Sequence, residues 1–192
     1  MPANSYESVF AFNQGDGAAL ASSTTPTSLL PAAAKYKLWA NYFENLGKTI
    51  KMTAHGRIST VVTTPGTLTL QARFVDSAAT TVSVFDGGAM TLNVNAQTNV
   101  HWWLEVIMIC RSVGSAGTLF GFGTFRSHAV IGSAAPTAGT AGTHMLPYNA
   151  APAVGTAFNM TLENQVDLFA TWSVNNASNS ITLHNYLLES MN

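Results

Sequence analysis

Charged side chains are scarce in this chain. Asp, Glu, Lys and Arg make up 9% of its 192 residues, where a soluble domain typically carries about 25%. Nine acidic and eight basic groups leave a formal net charge of −1. The densest positive stretch is Lys48, Lys51 and Arg57, which strand spacing would spread out. Non-specific nucleic-acid binding draws on clustered positive charge, so no nucleic-acid partner is expected. Cysteine is almost absent too. Cys110 stands alone, so no disulfide framework is built within the chain. Long apolar runs are missing: none approaches the ~18 residues of a membrane helix, and no membrane partner is expected. The N-terminus, MPANSYESVF, has neither the basic start nor the apolar core of a signal peptide.

What is present is apolar or neutral. The hydrophobic fraction is 47% and the mean hydropathy +0.18. The polar surface must then be Thr, Ser, Asn and Gln. Burying such a surface against another protein desolvates few charges, and it is weakly protected against association. A homo-oligomer is the expectation.

The longest strand-like run is Val100–Ser112, followed by 118–131 after the turn 114–117. It holds two of the four tryptophans and the one cysteine. Successive strand side chains point to opposite faces. One parity gives Val100, Trp102, Leu104, Val106, Met108 and Cys110, a core face. There Cys110 reads as a small buried apolar residue. The other parity gives His101, Trp103, Glu105, Ile107, Ile109 and Arg111. A solvated face should not carry Trp103, Ile107 and Ile109. With Phe120 and Phe122 on the next strand, they are the expected subunit or partner interface. Gly121 and Gly123 mark a bulge, a bend or close backbone approach there. A nucleotide-binding glycine loop is rejected, because position 126 is Arg and no helix follows.

Elsewhere the chain reads as strand after strand. Residues 1–34, rich in Ala, Ser, Thr and Pro, are expected to form an extended N-terminal arm with one or two short strands. Residues 32–46 suit a short turn or an irregular aromatic corner around Trp39, Tyr42 and Phe43. Residues 49–60 and 67–75 alternate cleanly across a Pro65-Gly66 turn and make a hairpin. Residues 80–85 and 90–94 flank Asp86-Gly87-Gly88, read as a second turn. Residues 132–160 are Gly/Ala/Thr/Pro-rich and contain no charged residue. They read as one long loop, anchored locally at 144–148, and a loop of that length is usually functional or disordered. Met145 and Tyr148 within it join the expected interface. Residues 166–174 and 180–190 close the chain as strands. The expected fold is all-β: an antiparallel β-sandwich of jelly-roll type with about eight to ten strands and little or no helix. It occupies 35–192 as one domain behind the arm.

No catalytic pattern is found, and no enzyme is expected. The five histidines, His55, His101, His128, His144 and His184, show no metal-ligand spacing. No metal and no cofactor is expected. Ser115 lacks a nucleophile-elbow context. Glu105, Glu163, Asp167 and Glu189 are scattered, and a glycosidase needs two carboxylates at a set separation. Arg57, Arg73, Arg111 and Arg126 each fall on the polar side of a strand. Pairing with carboxylates within or between subunits is the expectation for them; an arginine ladder for an anionic sugar or phosphate is the alternative.

The stretches 56–74 (GRISTVVTTPGTLTLQARF), 87–93 (GGAMTLN), 102–114 (WWLEVIMICRSVG) and 166–192 resemble small structural proteins of tailed bacteriophages, especially of actinobacterial hosts. The resemblance implies a virion component: a capsid decoration, fibre or minor tail protein without enzyme activity. The function expected from it is a capsid decoration (cement) protein, a trimer on the capsid exterior that contacts the major capsid protein. Such a protein is made in the host cytoplasm and resides in the virion. The alternative is a tail or fibre module that binds host-surface carbohydrate.

Overall fold

A computed structural model describes residues 8–131 and 142–191. Twelve β-strands lie among these residues, with no α-helix. They are β1 (Ser8–Phe12), β2 (Leu20–Ala21), β3 (Thr27–Ser28), β4 (Lys37–Leu38), β5 (Thr49–Thr60) and β6 (Thr67–Asp76). β7 (Thr81–Thr91), β8 (Gln97–Ser112), β9 (Thr118–Ser127), β10 (Gly142–Leu146), β11 (Asn164–Trp172) and β12 (Ser180–Ser190) follow. The count exceeds the expected eight to ten because β2, β3 and β4 are two-residue strands, too short to carry an alternating pattern.

The strands form two antiparallel sheets. The larger runs β1-β12-β5-β8-β9-β10, with β2 also on β12. The smaller runs β3-β11-β6-β7, with β4 also on β11. β5 and β12 are neighbours in one layer, and β6 and β11, which follow and precede them in the chain, are neighbours in the other. A long two-stranded ribbon thus folds across both layers, which makes this a sandwich of jelly-roll type.

The inner faces follow from strict alternation. β5, β6 and β9 each bury every second residue, as a two-layer sandwich requires. Trp102, Phe125, Tyr186, Phe74 and Trp172 fill the space between the sheets. The Trp102 indole N–H lies 3.2 Å from the carbonyl oxygens of both Arg57 and Thr182. Cys110 is buried on this face, as its parity required.

The N-terminal segment differs from an arm reaching outward. Residues 8–34 lie along the chain's own sheets. β1 and β2 pair with β12, β3 pairs with β11, and Trp172 donates to the Leu20 carbonyl at 3.2 Å. Residues 32–46 make a 3-10 turn at Ala32–Ala34 and then the aromatic corner. There Phe10 stacks on Tyr36 at 5.1 Å, and Tyr42 meets Trp39 and Phe43 edge-on at 4.9 and 4.7 Å.

The expected loop 132–160 is interrupted. Residues 132–141 lie outside the described residues, but Gly142–Leu146 forms β10 on the open edge of β9. The unpaired edge groups of β9 draw in whatever backbone is near, and isolated bridges Phe120–Val154 and Gly117–Phe158 continue the pairing. The 144–148 anchor is present. His144 Nε2 lies 3.1 Å from the Val130 carbonyl, and the Tyr148 hydroxyl donates to the Ile131 carbonyl at 2.6 Å.

Candidate functional site

The outer face of the larger sheet gathers most of the expected interface residues. Ile107 pairs with Phe122 and Ile109 with Phe120, directly across β8 and β9. Trp103 sits between His55 on β5 and Arg126 on β9. All five are half-buried by neighbours on their own sheet, with nothing stacked wholly over them. Met145 on β10 is 68% exposed. Tyr148 departs from the expectation. It is 7% exposed, because its hydroxyl is drawn inward to Ile131, so it offers no outward surface.

Within the described part of the chain the arginines do not pair with carboxylates. Among the described residues the ion pairs are Lys35–Asp167, Lys37–Glu163, Lys51–Glu189 and His184–Asp16, and none involves arginine. Three arginines instead lie over aromatic rings: Arg73 over Phe169 at 4.7 Å, Arg111 over Phe120 at 5.2 Å and Arg126 over Trp103 at 4.4 Å. With few carboxylates available, an aromatic face is the nearest negative surface for a guanidinium.

A second feature escaped the sequence reading. Asp86-Gly87-Gly88 is not a turn. β7 is continuous through it and bulges, with register shifts against β6 on both sides of Gln71. Gly88 takes φ +75°, a left-handed conformation that glycine adopts without strain. A bulge re-aims the side chain beside it. Here that side chain is Asp86. One carboxylate oxygen accepts the Gly88 N–H at 2.9 Å and the other accepts the Gln71 amide at 2.7 Å. Arg73 in turn donates to Gln71 Oε1, at 2.9 Å from its Nε. The chain Phe169–Arg73–Gln71–Asp86 thus fixes the carboxylate in one orientation.

Asp86 lines a cleft of about 470 Å³ beside the β7 edge. Phe85, Val84 and Gly121 form one side, and Pro147, Ala150, Ala151 and Val154 the other. The far wall is tied down by the Tyr148 N–H, which donates to the Gly87 carbonyl at 2.8 Å. A side chain at position 121 would press into the Phe85 ring, and one at position 155 into the Val84 carbonyl. These glycines let wall and strand approach, and they set the width of the cleft.

The chemistry available there is narrow. Asp86 is the sole titratable side chain among the described lining residues. A carboxylate offers about four lone-pair sites, and two are used. The remainder can accept hydroxyl or amide protons from a ligand lying against Val154 and the alanines. Glycoside hydrolysis uses two carboxylates, and this lining supplies one. A neutral ligand with an apolar face and a polar edge suits such a cleft. The sequence signal for it was the Asp-Gly-Gly triplet, which also fits a turn.

The comparisons with known proteins bear on the fold. No family model matches the chain, and no curated protein matches it. Among solved structures, it is similar to a winged bean acidic lectin complexed with methyl-alpha-D-galactose, at 9% identity over 98% of this chain and 99% of that one, with a TM-score of 0.43. It is similar to a basic winged bean lectin with Tn-antigen, at 9% identity, TM-score 0.38, over 97% of each chain. It is also similar to the CBM2 module of an evolved Dit from Lactobacillus casei BL23 phage J-1, at 9% identity and TM-score 0.31, over 87% of this chain and 76% of that one. With likenesses this distant, the jelly-roll sandwich rests on the chain's own strand order.

Proposed function

We propose that this chain is a non-enzymatic carbohydrate-recognition module of a tailed-phage virion, of tail or fibre type, and that it takes a neutral sugar residue in the Asp86 cleft. One observation carries the reading: a carboxylate held by two hydrogen bonds at a cleft that is otherwise apolar but for Thr69. A sugar ring presents an apolar C–H face and a rim of hydroxyl donors. Val154 and the alanines complement the first and Asp86 the second. The volume of about 470 Å³ lies within the range of small-molecule sites, roughly 300–1,000 Å³. The virion setting comes from the sequence resemblance to phage structural proteins. Titration with a panel of neutral mono- and disaccharides tests the reading. Binding that weakens in Asp86→Asn supports it, and no binding by any sugar removes it.

A second reading retains the capsid decoration role, with a trimer on the capsid exterior. The half-buried row Ile107, Ile109, Phe120 and Phe122 favours it, because a purely solvated sheet face carries polar residues there. Light scattering distinguishes the two: a 20.3 kDa monomer at micromolar concentration contradicts the trimer.

A further inference from the structure

The larger sheet's outer face concentrates positive and proton-bearing groups at one end. Arg57 on β5 pairs with His101 on β8, and the next row holds His55, Trp103 and Arg126. His128 follows just beyond β9. Two of the chain's four arginines and three of its five histidines therefore share one patch. Arg57, His101, Arg126 and His128 are exposed. A cleft of about 380 Å³ runs along it, lined by His101, Arg126, His128 and Thr143, with no carboxylate among the described lining residues.

Three features make this more than a solvated charged edge. First, neither arginine has an ion pair among the described residues, and the nearby histidine that has one, His184, is held by Asp16 at 2.8 Å. Second, Arg126 is pre-positioned. Its guanidinium stacks on Trp103 at 4.4 Å, which leaves the planar N–H edges to meet an oxyanion in bidentate fashion. Third, Arg57 and Arg126 are two strands and one two-residue step apart, roughly 12 Å by strand spacing and rise. That is the separation of their backbone positions, and an extended polymer lying across the sheet can meet both side chains.

We infer that this patch binds an anionic polysaccharide, with the carboxylate or phosphate groups of successive units on Arg126 and Arg57. It is a second site, separate from the Asp86 cleft, and does not depend on that cleft binding a neutral sugar. A saccharide is favoured over a nucleic acid for two reasons. The basic area stops at the next row of the same face, Thr53, Glu105 and Thr124, where the Glu105 carboxylate bounds it. The indole face that would stack on a base is occupied by Arg126.

The test uses the full chain and four polymers: hyaluronan for carboxylate, poly(glycerol phosphate) for phosphate, dextran as the neutral control, and oligo(dT) as the nucleic-acid control. Calorimetric titration at low salt should show binding to one or both anionic glycan-type polymers and none to dextran. Arg126→Gln and Arg57→Gln should each weaken it at least tenfold, with thermal unfolding of the variants unchanged. Asp86→Asn should leave it as in the parent chain, so that failure here and failure of the neutral-sugar cleft are separable. Equal affinity in both arginine variants, no binding to either anionic polymer, or equal binding of oligo(dT) would overturn the inference.

Discussion

The Lys35 ammonium lies 2.7 Å from Asp167 Oδ2, which ties the N-terminal segment to the middle of the smaller sheet. Asp167 is 2% exposed. It also accepts the Ser28 hydroxyl at 2.7 Å and the Leu168 N–H at 2.8 Å. Removing one partner of a buried pair typically costs about 3–5 kcal/mol. Asp167→Ala should therefore lower unfolding free energy by about 3 kcal/mol, measured by denaturant titration. Lys35→Met should cost a comparable amount, because it leaves the buried Asp167 carboxylate without its counter-charge. Equal and negligible effects would mean that the segment is not held this way.

Gly123 makes a sharper steric demand. A side chain there would collide with the Glu105 carbonyl oxygen and sit 3.1 Å from the Val106 Cα. Both are backbone of the adjacent strand and cannot swing aside. Gly123→Ala should destabilise by about 2 kcal/mol, within the range for overpacked cores. Gly15→Ala, where nothing lies within 4 Å, should change stability by no more than about 0.5 kcal/mol.

His55 gives a pH signature. Burial lowers its pKa from the ordinary histidine value, and the neighbouring His101 lowers it further. The unfolded chain then binds more protons than the folded one between the lowered value and about 6.5. Stability must rise with pH across that window and fall as pH drops through it. Tm measured from pH 7.5 down to 5 (about one unit to either side of the histidine range) should fall less steeply in His55→Gln than in the parent chain. Parallel profiles would contradict the assignment.

The layer architecture was legible because β5 and β9, most of β6 and the Trp102–Cys110 part of β8 alternate, and alternation reports one dry and one half-covered face. Cys110 and the Trp102 row followed from parity alone. The short strands of residues 20–38 were hidden. Two-residue strands have no period, and what places them is a set of long-range bonds such as Trp172 to Leu20. The arginine–ring contacts have no signal in the sequence, because they depend on which aromatic residue the strand register sets beside each guanidinium. Tyr148 was misplaced because its inward turn depends on a single carbonyl, that of Ile131. The Asp86 cleft was invisible for a related reason. Asp-Gly-Gly encodes a bulge or a turn equally well, and only the pairing of β7 along its whole length against β6 decides between them.

The neutral-sugar cleft is tested most directly by isothermal titration of the full chain with a panel of neutral hexoses, N-acetylhexosamines and their disaccharides, in parallel with Asp86→Asn. At least one sugar should bind with a dissociation constant on the order of 1 mM or tighter. A hydrogen bond to a charged group contributes about 1.5–3 kcal/mol, so Asp86→Asn should weaken that sugar about tenfold to a hundredfold. Saturable sugar binding that Asp86→Asn leaves unchanged, or the absence of binding across the whole panel, would contradict it.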